Sequence, residues 1–331
     1  MFRQISLHVV LCYSLITAHA SLAFASLPLS LYWSECDQSG GRIRRSDLNG
    51  NNRTTLVSTQ NKCARSLTID EASGRIFWTY PDDVIYSTPL DGSGQVTLIS
   101  GYPTRDGEYA YQTVDFGPTS NKMYWLENFY SETFVVRATP YQNDREILTH
   151  EGAGDTSSLV VQESRNRLYY WEWTRLSPQA PRVRIKKVDL QTRVQSSIWQ
   201  SAVIEKFAGM VINEAEDKLI WAGDVSGTGF IRTISVNGGN IQTLAALPTG
   251  AVPRGLEIDQ VNHSLYWIED GTDRIVRAGL DGSNATPIVT GIDAYAITIG
   301  PIPEPSTAIL LSLGIALLRR RRPRPRTDRT C

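Results

Sequence analysis

Six times along the chain stands a pair of bulky apolar residues, almost always aromatic, and five of the six pairs are preceded by a stretch of alternating apolar and polar residues. The second member of each pair falls at Trp33, Trp78, Trp125, Tyr170, Trp221 and Trp267, with spacings of 45, 47, 45, 51 and 46 residues. Before the last five lies an apolar couple two residues apart (Leu67 and Ile69, Val114 and Phe116, Leu159 and Val161, Met210 and Ile212, Leu256 and Ile258), the period of a strand. The aromatic pair marks a second strand, whose rings suit packing between sheets. A third strand follows each time (Ile43 to Asp47, Val84 to Thr88, Phe134 to Ala138, Val183 to Val188, Phe230 to Ser235, Arg274 to Ala278). It runs into a turn at Asn49-Gly50, Asp91-Gly92, Asn237-Gly238 and Asp281-Gly282, expected to be a two-residue type I′ turn before a short fourth strand.

A four-strand unit repeating every 45 to 50 residues predicts the blades of a propeller. The ends of the repeat region predict how the ring shuts. Leu31-Tyr32-Trp33 has no inner strand before it, and Tyr295 to Gly300 is an inner strand with no aromatic strand after it. Pairing them in one blade removes the exposed edges of an open array. The expected fold is therefore all-β: a six-bladed β-propeller over residues 26–300 with four-stranded blades, closed by its N- and C-terminal strands.

The apolar-Asp pairs (Ile69-Asp70, Ile258-Asp259), the aromatic pairs and the Leu-Asp-Gly-Ser turns (Leu90 to Ser93, Leu280 to Ser283) resemble the low-density-lipoprotein-receptor type of propeller, named for its Tyr-Trp-Thr-Asp repeats. That resemblance covers nearly all of the repeat region. Where the family pattern has Thr-Asp, this chain has Ser34-Glu35, Thr79-Tyr80, Leu126-Glu127, Trp171-Glu172, Ala222-Gly223 and Ile268-Glu269.

The flanks read as targeting segments. Residues 1–25 carry Arg3, an apolar run and the small-residue sites Ala18-His19-Ala20 and Ala23-Phe24-Ala25, the order of a secretory signal peptide. Residues 301–331 hold Pro303-Glu304-Pro305, the apolar run Ala308 to Leu318 and the cluster Arg319, Arg320, Arg321, Arg322. This order resembles the PEP-CTERM sorting signal of bacterial exported proteins. The resemblance implies an exosortase-type membrane protease as a processing partner, transient anchoring in the inner membrane, and a body at the cell surface, in the outer envelope or outside the cell. The apolar run by itself spans about 16 Å as a helix, roughly half a bilayer core.

Charge and cysteine content then narrow the function. The formal charge of −1 includes Arg3 and the seven arginines from Arg319 onward; residues 26–305 hold 25 basic and 33 acidic residues, a net charge of −8. Such a body repels nucleic acid and anionic surfaces. Of four cysteines, Cys12 lies in the signal and Cys331 ends the chain, leaving Cys36 and Cys63, which in an exported protein read as a disulfide. No phosphate loop, Gly-x-Ser-x-Gly elbow or His-x-x-x-His pair is present, and His150 and His263 fall at opposite ends of the barrel by strand direction. No cofactor or metal is expected. The residues closing the inner strands (Asp70, Gly117, Gln162, Asn213, Asp259, Gly300) form no acidic ring suited to calcium, and the carboxylates among them are read as turn caps.

Because strands alternate in direction, the loops joining second to third strands share a face with the loops joining blades. That face collects Tyr80, Asp82, Asp83, Glu127, Phe129, Tyr130, Glu172, Trp173, Asp224, Glu269 and Asp270, together with Cys36 and Cys63. Acidic groups beside exposed aromatics predict a recognition face for a protein or polysaccharide, hence a non-enzymatic binding or scaffold protein. The alternative is a propeller hydrolase or lyase working in the central channel.

Overall fold

The computed structural model describes residues 28–60, 62–80, 84–94, 97–99, 109–129, 132–152, 154–174 and 183–303. The signal segment, Asp82, Asp83, Tyr130, Arg175, Arg182, Glu304, Pro305 and the arginine cluster lie outside them. Blade 1 holds β1 (Leu29–Asp37), β2 (Gly40–Asp47) and β3 (Thr54–Gln60). Blade 2 is β4 (Ser66–Asp70), β5 (Arg75–Thr79), β6 (Ile85–Pro89) and β7 (Thr97–Ile99); blade 3 is β8 (Tyr109–Gly117), β9 (Lys122–Phe129), β10 (Glu132–Ala138) and β11 (Glu146–Gly152). Blade 4 is β12 (Gly154–Gln162), β13 (Arg167–Thr174), β14 (Val183–Asp189) and β15 (Gln195–Ser201). Blade 5 is β16 (Lys206–Asn213), β17 (Lys218–Val225), β18 (Thr228–Ser235) and β19 (Gln242–Ala246), and blade 6 is β20 (Val252–Asp259), β21 (Ser264–Asp270), β22 (Arg274–Gly279) and β23 (Thr286–Thr290). The last strand, β24 (Ala294–Pro301), returns to blade 1, giving the order β24-β1-β2-β3. Each blade is a four-stranded antiparallel sheet, and the ring closes by the expected pairing, Trp33 opposite Ile297 and Leu31 opposite Ile299.

The aromatic pair explains why these sheets stand side by side. Neighbouring residues on a strand point to opposite faces, so each pair feeds both adjoining interfaces. Tyr266 packs with blade 1 and Trp267 with blade 5; Tyr32 packs with blade 2 and Trp33 with blade 6. The hydrophobic core is accordingly six wedges, one between each pair of neighbouring blades, and Trp33, Trp78, Trp221 and Trp267 are fully buried in them.

The third-to-fourth-strand turns differ from expectation. Gly50, Gly92, Gly238 and Gly282 each donate to the carbonyl three residues earlier (Asp47, Pro89, Ser235, Gly279). Of each expected Asn/Asp-Gly pair only the glycine has positive φ, between 74° and 88°. These are type I turns with glycine in the fourth place, because the hairpin carries extra loop residues and needs one left-handed position rather than two. A I′-like pair does occur in the tight β17–β18 hairpin, at Ser226 (φ 52°) and Gly227 (φ 82°).

Cys36, near the end of β1, is joined to Cys63, in the loop leading to β4, with Cα atoms 5.4 Å apart. The bond ties the closing blade to blade 2. Replacing both cysteines by serine is expected to lower stability by about 3 kcal/mol, a fall in melting temperature of about 6–10 °C for a domain of this size. A melting temperature unchanged from the oxidised parent would contradict this.

Candidate functional site

The predicted recognition face divides once the strands are in place. Each second strand continues past its aromatic pair, so the residue two beyond the Trp or Tyr shares its side of the sheet and enters the wedge. Glu35, Tyr80, Glu127, Glu172 and Glu269 all occupy this one position, and all are buried. The expectation that Glu127, Glu172 and Glu269 line an exposed acidic loop face is corrected accordingly.

Three of these glutamates accept from the indole two residues earlier: Trp33 Nε1 to Glu35 at 2.7 Å, Trp125 Nε1 to Glu127 at 2.8 Å and Trp267 Nε1 to Glu269 at 2.9 Å. Each glutamate also meets a guanidinium. Arg42 Nε donates to Glu35 at 2.9 Å, Arg145 Nε to Glu127 at 3.2 Å, Arg184 Nη1 to Glu172 at 3.3 Å and Arg274 Nε to Glu269 at 2.7 Å. An ionised carboxylate can be taken out of water when paired and hydrogen-bonded in this way.

The two exceptions compensate. In blade 5 the position is Gly223, and Glu205 comes in from the loop before β16 to pair with Arg232 at 2.7 Å, burial pushing its carboxyl above the usual range. Trp221 Nε1 is left without an acceptor among the described residues. In blade 2, Tyr80 fills the place with its ring edge-on to Trp78 and Tyr86, at 6.5 and 4.7 Å.

The other predicted site residues scatter. Asp224 is buried and holds the β17–β18 turn by accepting from Gly227 N at 2.9 Å. Trp173 is half-buried against the blade 4–5 wedge, and Phe129 ends β9. Asp270 is half-buried and pairs with Arg254 at 2.8 Å. The inner-strand caps act as predicted: Asp70 accepts from Ala72 N and Ser73 N, Asp259 from Val261 N and Asn262 N.

What sequence reading missed is the set of residues that line the central channel, a cavity of about 410 Å³ among the inner strands. In blades 3–6 and in the closing blade, the register between inner and second strand slips at a bulge near the channel mouth. Bulges re-aim side chains. Here they bring Ser157, Ala208, Arg254 and Tyr295 to the mouth, with Arg65 at the matching place in blade 2. Arg254 donates to Asp293 at 2.6 Å as well as pairing with Asp270, and its guanidinium lies 4.4 Å from the centre of the Tyr295 ring. Arg65, exposed, lies 5.3 Å from the same centre.

Three residues further along the inner strands is a second set of equivalent positions: Thr68, Asp115, Val160, Val211, Glu257 and Thr298. Asp115 and Glu257 stand on opposite blades. Asp115 accepts from Val161 N and Phe116 N, both at 2.8 Å, and Glu257 from Ile258 N at 2.8 Å. Burial in the wall outweighs these bonds and pushes Asp115 up to about 6 and Glu257 up to about 7, the charge of Asp115 adding to the rise at Glu257. Aligning the strands by the apolar residue nine before each aromatic would have exposed this ring one residue earlier. Among the described residues no group of three His, Cys, Asp or Glu is arranged to hold a metal.

No family model matches the chain. Protein cueball of Drosophila erecta is 21% identical over 198 residues, 57% of this chain, and the match spans 28% of that protein's length. Among solved structures, a chain in a crystallised nidogen/laminin complex superposes with a TM-score of 0.67 at 16% identity, covering 83% of this chain and 99% of that one. TolB from Acinetobacter baumannii gives 0.62 at 12%, covering 82% and 66%. These likenesses establish the six-bladed propeller fold.

Two outcomes follow. Trp267→Phe loses a hydrogen bond to a buried carboxylate that Trp221→Phe does not, so it should destabilise by about 1.5–3 kcal/mol more in denaturant unfolding; equal costs would contradict the indole–glutamate bond. The raised folded-state values of Asp115 and Glu257 mean that their stabilising contribution is full below about pH 4 and is lost as pH rises through 6 to 7. Glu257→Gln should therefore gain about 2–3 kcal/mol relative to the parent between pH 5 and pH 8, and an offset that does not change with pH would refute this.

Proposed function

We propose that the protein is an exported, non-enzymatic binding or scaffold propeller of the low-density-lipoprotein-receptor type. It meets a protein or polysaccharide on the face that carries the channel mouth. The observation that carries this reading is the knot at that mouth, where Arg254 is fixed by Asp270, Asp293 and Tyr295. Charged and aromatic groups already held in place lose little freedom on binding. The face has mixed charge, since Glu127, Glu172 and Glu269 are consumed inside the wedges. The nidogen/laminin neighbour, a propeller in a complex of two proteins, supports a binding role for this architecture.

Export rests on the two flanking segments together with the disulfide, a bond typical of oxidising compartments. Among the described residues the strands run from Leu29 to Pro301. In this reading an exosortase-type protease removes the tail, and the body ends at the cell surface, in the outer envelope or outside the cell. Among the described residues no helix is long and apolar enough to cross a membrane.

The alternative, a hydrolase or lyase acting in the channel, is favoured by one observation: two carboxyls raised to about 6 and 7, the range suited to proton transfer near neutrality.

The face reading predicts a selective hit for the purified protein on a peptide and glycan array, weakened at least tenfold by Asp270→Lys or Trp173→Ala. A hit insensitive to both changes would place the contact elsewhere, and turnover of an arrayed glycan that is abolished by Asp115→Asn would favour the enzyme.

A further inference from the structure

The channel wall carries both polar and apolar groups at equivalent middle positions. In blades 6 and 3 these are Glu257 and Asp115, with Thr68 of blade 2 donating to Asp115 at 3.5 Å. In blades 4 and 5 they are Val160 and Val211, with Ser157 and Ala208 above them at the mouth. Arg254, Tyr295 and Arg65 stand at the mouth in the consecutive blades 6, 1 and 2.

A ligand suited to this wall has hydroxyls along one side and a C–H surface on the other. A pyranose ring answers that description, and the cavity of about 410 Å³ has room for one or two such rings. The mouth adds a charge requirement. Arg254 is already neutralised by Asp270 and Asp293, whereas among the described residues the Arg65 guanidinium makes only its contact with Tyr295. One guanidinium at the rim is therefore spare, and its planar fork matches a carboxylate. Ser157 Oγ, buried and without a partner, adds a polar group on the opposite side of the mouth.

We propose that the channel binds a single acidic sugar residue, with its carboxylate on Arg65, its hydroxyls on Glu257 and Asp115 and its apolar side on Val160 and Val211. This site is separate from the face-bound partner and does not require it. In their protonated form, Asp115 and Glu257 each offer an O–H donor to the sugar; ionised, they repel its carboxylate. The other ionisable groups bearing on the pair are Glu163, whose charge adds to the rise at Asp115, Glu214, which lines the same cavity, and the guanidiniums at the mouth. Binding therefore weakens as pH rises from 6 to 8.

The test is saturation-transfer NMR on the full-length protein with D-glucuronate, D-glucose and inorganic phosphate as separate probes at pH 6. Glucuronate should receive magnetisation from the protein, glucose about tenfold less, and phosphate should fail to displace glucuronate at equal concentration. Arg65→Ala should weaken glucuronate binding about tenfold or more. Ala208→Tyr, which places at blade 5 the side chain that blade 1 already carries at the equivalent position, should block it while leaving the melting temperature within a few degrees of the parent. Trp173→Ala, which probes the face, should leave it unchanged. The proposal is overturned by no transfer to glucuronate, by equal transfer in Arg65→Ala, or by full displacement by phosphate, which would reduce the site to a bare anion contact at the rim.

Discussion

The structure depends on the wedge between neighbouring blades. A blade alone is a small twisted sheet with two apolar faces and no stable fold, and only its neighbours remove those faces from water. The aromatic pair on each second strand solves this for both sides at once, one ring to the left and one to the right, so every blade is locked by two wedges and the ring must close for any of them to be complete. Closure through β1 and β24, with the disulfide beside it, is the same requirement applied to the ends of the chain.

Because the wedge reaches two residues past the aromatic, it decides the fate of the acids as well. A glutamate there has left water and is tolerated only with its indole and arginine partners. The face then owes its character to what the wedges do not consume: Asp270, Asp293, Arg254, Tyr295 and the spare charge of Arg65. The channel beneath is shaped by the same repetition. Equivalent positions on six strands form rings, and substitution within those rings puts carboxyls at Asp115 and Glu257 and valines at Val160 and Val211.

The repeat, the blade count and the closing pair were legible in sequence because aromatic packing imposes a strict spacing that loops cannot blur. The Cys36–Cys63 pairing was legible from strand direction. The acids were misread because Glu127, Glu172 and Glu269 were counted as the start of loops, when the parity of Trp-x-Glu already put them beside the ring. Asp224 was misread for a related reason, being a hairpin residue turned inward to hold its own turn. The channel was hidden because Asp115 and Glu257 belong to different repeats 142 positions apart in the chain, and only superposing the strands shows them to be one position. The bulges that bring Arg254 and Tyr295 to the mouth leave no mark in an apolar pattern.

Glu35, Glu127, Glu172 and Glu269 are locked in the wedges, and the mouth is what remains for partners. Carbodiimide labelling of carboxyls with an amine, read by peptide mass spectrometry on the folded protein, addresses this directly. The account predicts labelling at Asp37, Glu132, Asp270 and Asp273 and none at Glu35, Glu127, Glu172 or Glu269 until the protein is unfolded. Labelling of those four glutamates in the native state, at the rate of Asp270, would contradict it.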